Sequence, residues 1–366
     1  MSLILKLKKD HFNVARCILI VLLGFTANLS AENLNDQNSK TKNQKLIFLN
    51  WSQYLDPELV KEFEQQFNAE VSEVYFETSE TMNGILAESG GRGYDLVLMT
   101  GIQVDAYRSM GWLAPITEKQ IPNLRHVGAR WRTAYIGVDG FSVPYFWGTL
   151  GIGYRSDLVL EKPTTWKHLF NPPVSLHGKI LMLKDSRDLI GIALKALGYS
   201  PNTNNLKELA EAEHLLTKQK PYVKDYGYIE MSPQSRLITG QIWVSMMYSG
   251  DVLFARKFHP NIEYVIPEEG ANLWVDYLVI LKSSSNKKLA MAFINFLNEP
   301  KNAARLATYV HYLSPNTAAE KYLPKKLLED PVLKVTPNQL KRSEFNKTLP
   351  PRIVKEHNRI FAQIIH

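Results

Sequence analysis

Cysteine is nearly absent from this 366-residue chain; the only one, Cys17, lies close to the start. Beyond it there is no thiol, which excludes disulfides, a thiol nucleophile and a zinc–thiolate site. Glycine (20) and proline (19) make up about 11% of the residues, well below the roughly 25–30% of low-complexity chains. The longest apolar run, Cys17 to Phe25, is nine residues, and a bilayer-spanning helix needs about 20. The nine histidines are scattered, and none forms HExxH or another metal-ligand spacing. There is no GxSxG elbow and no phosphate loop, and Gly151-Ile152-Gly153 lacks the third glycine of a dinucleotide fingerprint. No metal, cofactor or catalytic residue is therefore expected.

What is present begins with the first 31 residues. Lys6, Lys8, Lys9 and Arg16 precede the short apolar run, and small residues end at Ala31. That pattern reads as a secretory signal peptide cleaved near Ala31, and so as an exported protein. Its removal lowers the net charge from +7 to +4. The remaining charges are interspersed and form no basic stripe, so nucleic acid is not an expected partner. Residues 32–44 are almost wholly polar and read as a flexible leader.

The folded part opens with a short buried strand at Leu46–Leu49. Asp56-Pro57 then starts a helix carrying Leu59, Val60, Phe63 and Phe67. A strand near Val71–Phe76, a helix capped by Ser79 and a strand at Tyr94–Thr100 follow. The rhythm restarts with a strand at Ile180–Leu183, helices near Asp188–Leu197 and Leu206–Thr217, and a strand at Trp243–Tyr248. An apolar stretch at Leu273–Leu281 leads into a helix at Leu289–Leu297. This alternation predicts an α/β protein with parallel sheet in two units, joined by crossings near Tyr145–Gly148 and Val275–Ile280. Ligands of such sheets sit at the carboxyl ends of the strands.

Aromatics recur beside carboxylates. Trp51 and Tyr54 follow the first strand, and Tyr248 ends another. Trp274 and Asp276 are two apart in an extended segment and share a face. Asp185 and Asp188 are three apart where a strand gives way to a helix. This pairing suits an organic cation, because each ring face attracts the cation by about 0.5–2 kcal/mol and each carboxylate accepts charge-assisted hydrogen bonds. The residues also have plainer readings. Asp185 can simply cap its helix, Trp51 and Tyr54 can be core, and Asp276 can pair with a structural Arg or Lys.

At these residues the chain resembles the periplasmic spermidine/putrescine-binding proteins, including their norspermidine-sensor branch. The resemblance runs over roughly residues 45–350. Its blocks are Asn50-Trp51-Ser52-Gln53-Tyr54, Glu77-Thr78-Ser79-Glu80-Thr81-Met82, Tyr94-Asp95-Leu96-Val97 and Pro144-Tyr145-Phe146-Trp147-Gly148. Leu197-Gly198-Tyr199-Ser200, Pro267-Glu268-Glu269-Gly270, Trp274-Val275-Asp276 and Ser314-Pro315-Asn316 continue the series.

The resemblance implies a two-lobed periplasmic binding protein of type II-like architecture, with a hinge and an interlobe ligand cleft. It sets lobe 1 at 45–145 plus about 277–320, and lobe 2 at 146–276 plus part of 321–366. Trp51 and Tyr54 would wall the cleft, Asp185 and Asp188 would bind an amine, Trp274 would stack on the ligand and Asp276 would pair with a terminal ammonium. Asn346 falls where the family often carries glutamine, and Asp188 where it carries glutamate. Ser52, Gln53, Thr100 and Ile102 lie beside these positions. Ile102 stands in place of a family tyrosine, Tyr248 of a tryptophan, and Gln53 of an acidic residue of spermidine-preferring members.

The implied function is a monomeric polyamine-binding protein serving an inner-membrane ABC permease. The alternative output is a polyamine (norspermidine) sensor that reports to a membrane cyclic-di-GMP receptor controlling biofilm formation. A third reading, a secreted enzyme acting on a cationic substrate with Asp185 or Asp276 as acid or base, lacks a nucleophile, a metal set and a cofactor loop.

Overall fold

A computed structural model describes residues 44–366. The expected signal peptide at 1–31 and all of the expected polar leader except Gln44 lie outside the described residues. Gln44 itself already belongs to the first strand.

Among the described residues ten strands form one mixed sheet. They are β1 (Gln44–Trp51), β2 (Ala69–Phe76), β3 (Leu96–Thr100), β4 (Ser142–Arg155), β5 (Ile180–Met182), β6 (Val223–Tyr226), β7 (Val244–Tyr248), β8 (Ile262–Val265), β9 (Asn272–Ile280) and β10 (Glu344–Phe345). The main order is β2-β1-β3-β9-β4-β7-β5-β6, with β10 beside β9 and β8 beside β4. Parallel pairing holds within each wing, β2-β1-β3 and β7-β5-β6. The predicted parallel sheet is corrected at the centre, where β9 runs antiparallel to both β3 and β4. The reason is that β4 leaves the first wing and β9 returns to it, so the two crossing segments run side by side in opposite senses.

The helix Pro57–Phe67 forms for local reasons. Asp56 is extended and accepts from the Glu58 amide at 3.0 Å, and Pro57 takes the first helical turn, where no amide donor is needed. Leu59 and Phe63 then fall on one buried face. The next helix, Ser79–Ser89, corrects the expected cap. Thr78 is the extended residue and its hydroxyl accepts from the Thr81 amide, so Ser79 is already helical.

Each wing has a core on both faces, which is why its inner strands β3 and β5 are almost continuously apolar, while the edge strands β2 and β6 keep exposed Glu70, Lys224 and Asp225. Phe48, Phe63, Val143, Phe146, Leu278 and Phe293 make one core of the first lobe, and Val97, Met99, Val275, Tyr277 and Val279 make the core on its other face. In the second lobe Ile152, Ile180, Leu189, Val244 and Ile353 form one core, and Leu181, Met247, Ile262 and Val332 the other. The C-terminal helix Pro351–Ile365 contributes Ile353, Ile360 and Ile364 to the second lobe. β4 and β9 thus connect two separately cored lobes. Among the described residues no helix is long and apolar enough to cross a membrane.

Candidate functional site

Asp276 sits in β9, opposite Thr100 of β3 on one side and Phe146 of β4 on the other. It is only 9% exposed. The Tyr54 hydroxyl donates to its Oδ2 at 3.1 Å. Among the described residues no Arg or Lys pairs with it, so the structural ion pair considered from the sequence is absent. Burial pushes its carboxyl up to about 7, opposed by the Tyr54 hydrogen bond. Tyr54 reaches it from the loop after β1, in which Ser52 and Gln53 are exposed and Gln53 takes a left-handed φ of 60°.

Aromatic rings surround this carboxylate. Tyr54 makes edge contacts with Tyr145 (5.9 Å), Phe146 (5.2 Å) and Tyr312 (5.8 Å), and its carbonyl accepts from the Tyr145 hydroxyl at 2.8 Å. Tyr312 meets Trp274 edge-on at 4.8 Å, and Trp274 meets Tyr248 at 6.0 Å. Trp274 can lie across β4 because residue 148 is glycine; a Cβ there would overlap the indole. The buried indole Nε1–H has no acceptor among the described residues. Behind the ring, the Tyr312 hydroxyl donates at 2.7 Å to Asp251, whose carboxyl burial pushes up to about 6.

A second acidic group lies at the start of the helix Ser186–Ala196. Asp185 is its N-cap, and Oδ1 accepts from the amides of Arg187 and Asp188, both at 2.9 Å. The capping reading is therefore correct, yet it uses only Oδ1. Burial and then repulsion from Asp188 push the Asp185 carboxyl up to about 6. Asp188 accepts from Tyr248 (2.7 Å), Asn272 (2.5 Å) and Asn346 (3.5 Å), and burial still raises it above the ordinary range. The half-buried Arg187 donates to Asn202, Asn346 and the Lys347 carbonyl, while its Nε and Nη1 have no acceptor among the described residues.

The sequence-predicted residues thus fall into two connected groups. Tyr54, Asp276 and Trp274 stand in one, Asp185, Asp188, Tyr248 and Asn346 in the other, and the Trp274–Tyr248 contact joins them. Trp51 instead packs against Phe76 at 4.5 Å. Thr100 caps its helix and gives its hydroxyl to Gln103, and Ile102 is half-buried in the first turn of that helix. Three neighbours were missed: Tyr312, Asp251 and Asn272. Tyr312 stands two residues before the Ser314-Pro315-Asn316 block, and that position was the only signal for it.

Chemically, the arrangement is a set of buried carboxylates faced by indole and phenol rings, in which Arg187 lies in the field of Asp188 and Asp185 while no Arg or Lys among the described residues pairs with Asp276. Such a set complements a bound organic cation. No three His, Cys, Asp or Glu side chains among the described residues come together as a metal-binding group.

The model of the bacterial extracellular solute-binding proteins matches residues 58–335. The chain belongs to this family. The spermidine/putrescine-binding periplasmic protein of Escherichia coli K12 is 30% identical to this solute-binding protein over 319 residues, covering 87% of this chain and 89% of that one. The norspermidine sensor of Vibrio cholerae is 28% identical over 282 residues, 76% of this chain and 77% of that one. The crystal structure of a spermidine/putrescine ABC transporter substrate-binding protein from Streptococcus pneumoniae superposes with a TM-score of 0.79 at 30% identity, covering 88% of this chain and 98% of that one. The two-lobed fold expected from the sequence is therefore the fold of the protein, and its relatives are solute-binding proteins.

Proposed function

We propose that the protein is exported, is cleaved near Ala31, and binds a polyamine in the periplasm as a monomer without catalysing any change in it. Lobe closure would present the ligand to an inner-membrane ABC importer. Asp276 carries this reading: a buried carboxylate with a phenol as its partner, ringed by aromatic faces, needs an external cation to hold its charge. Asp185 and Asp188, on the other lobe, supply the counter-charge for a second amine. Two separated carboxylates with apolar rings between them match a chain of methylenes bearing an ammonium at each end. In this reading the lobes divide within β4, between Phe146 and Leu150, and within β9, on the N-terminal side of Trp274, and the bend is taken up in these two strands.

Calorimetric titration of the ligand-stripped mature chain with putrescine, cadaverine, norspermidine, spermidine and spermine tests it. Micromolar or tighter binding of one or two members is expected. A folded sample that binds none of them refutes the reading, and turnover of any of them would restore the enzyme.

The second output, a sensor for a membrane signalling receptor, is favoured by the replacements Ile102 and Gln53 and by similarity to a protein named as a norspermidine sensor. Selective binding of norspermidine would support it.

A further inference from the structure

Tyr135 lies in the segment between the short helix Ala129–Arg132 and β4, and its half-buried ring reaches three parts of the site. First, the ring lies directly over Gly101, the residue before Ile102; a Cβ at Gly101 would overlap it. Second, its hydroxyl lies beside the main chain of Val275, between Trp274 and Asp276. Third, it packs edge-on against Phe345 at 5.4 Å, next to Asn346, and against Tyr277 at 6.1 Å. The phenol also lies within the fields of both Asp276 and Asp188, which, with burial, raise its pKa above the ordinary value.

We propose that Tyr135 is a specificity-determining wall of the ligand cleft, supplying beside Asp276 the ring that Ile102 does not. This rests on the polyamine reading above. Gly101 belongs to the same device, because an alanine there would push the ring out of place. A ring so placed, touching the first lobe at Gly101 and the C-terminal segment at Phe345, sets the length of chain that fits between Asp276 and Asp188. A pocket wall of this kind discriminates ligands differing by one methylene by about tenfold or more.

The test is titration of the wild-type chain and of Tyr135→Ala and Gly101→Ala with norspermidine and spermidine, which differ by one methylene. Both variants are expected to change the ratio of the two dissociation constants by about fivefold or more, Tyr135→Ala toward the longer triamine. Gly101→Ala keeps the phenol and so decides the matter if Tyr135→Ala fails to fold. An unchanged ratio in folded variants, including a uniform loss for both ligands, overturns the proposal and leaves Tyr135 a packing residue. Failure of the wild-type chain to bind any polyamine is a different result, and removes the ligand assignment together with this inference.

Discussion

Tyr54 and Asp276 are 222 residues apart in the chain, and the hydroxyl of the first donates a 3.1 Å hydrogen bond to the carboxylate of the second. One is on the loop after β1 and the other is on the strand that crosses between lobes. The contact therefore fixes that loop against the crossing strand.

Asp276→Asn is expected to weaken polyamine binding by about 2–5 kcal/mol, because the ammonium would be buried beside a neutral amide. The ligand-free variant should be at least as stable as the wild type at pH 7.5, since a costly buried charge is gone while an oxygen remains for Tyr54. Calorimetric titration and thermal melting check both parts. An unchanged dissociation constant removes Asp276 from the site.

The same carboxyl predicts a pH dependence. Unfolded, Asp276 ionises near 4; folded, burial pushes it up to about 7. The native state then holds its proton more firmly than the unfolded chain does. That contribution to stability is present below about 4 and is lost as pH rises through about 7. Half-buried His311 and buried His357, pushed down to about 4 by loss of solvent, act in the opposite sense over part of this range. The effect is therefore read as a difference: the melting temperature of Asp276→Asn minus that of the wild type should grow from pH 5 to pH 8. A constant difference would contradict the assignment.

Asp185 combines two roles that substitution can separate. Asparagine caps a helix about as well as aspartate, so Asp185→Asn should leave stability almost unaltered and weaken binding. Alanine removes the cap too and should cost about 1 kcal/mol of stability in addition. Equal binding by wild type and Asp185→Asn would confine Asp185 to capping.

Sequence patterns reached the local parts of this arrangement. The Asp56-Pro57 start, the β1 strand and the shared face of Trp274 and Asp276 follow from chemistry within a few residues. The Thr78 cap was missed by one position because Thr78 and Ser79 both qualify as caps, and only the backbone angles separate them. Tyr312, Asp251, Asn272 and Tyr135 could not be read in the same way. Each gains its meaning from a partner more than 50 residues away, such as Tyr312 with Asp251 or Asn272 with Asp188. The antiparallel run of β4 beside β9 is likewise a property of the returning chain, which local alternation does not encode.

Asp188 and Tyr248 form a pair whose coupling can be measured. By resemblance to the polyamine-binding proteins these positions carry glutamate and tryptophan, yet here both side chains are replaced together. The Tyr248 hydroxyl donates to Asp188 Oδ2 at 2.7 Å, a bond that an indole at the same place is not built to reproduce with the shorter acid. Tyr248→Trp alone should therefore leave a buried carboxylate oxygen without its donor and destabilise the ligand-free protein by about 1–3 kcal/mol. Asp188→Glu alone should crowd the phenol and also destabilise. The double variant should recover much of both losses, with an interaction energy of about 0.5–3 kcal/mol in a double-mutant cycle of denaturant unfolding. Additive losses would mean that the two replacements are independent and that the hydrogen bond contributes little to shaping this side of the cleft.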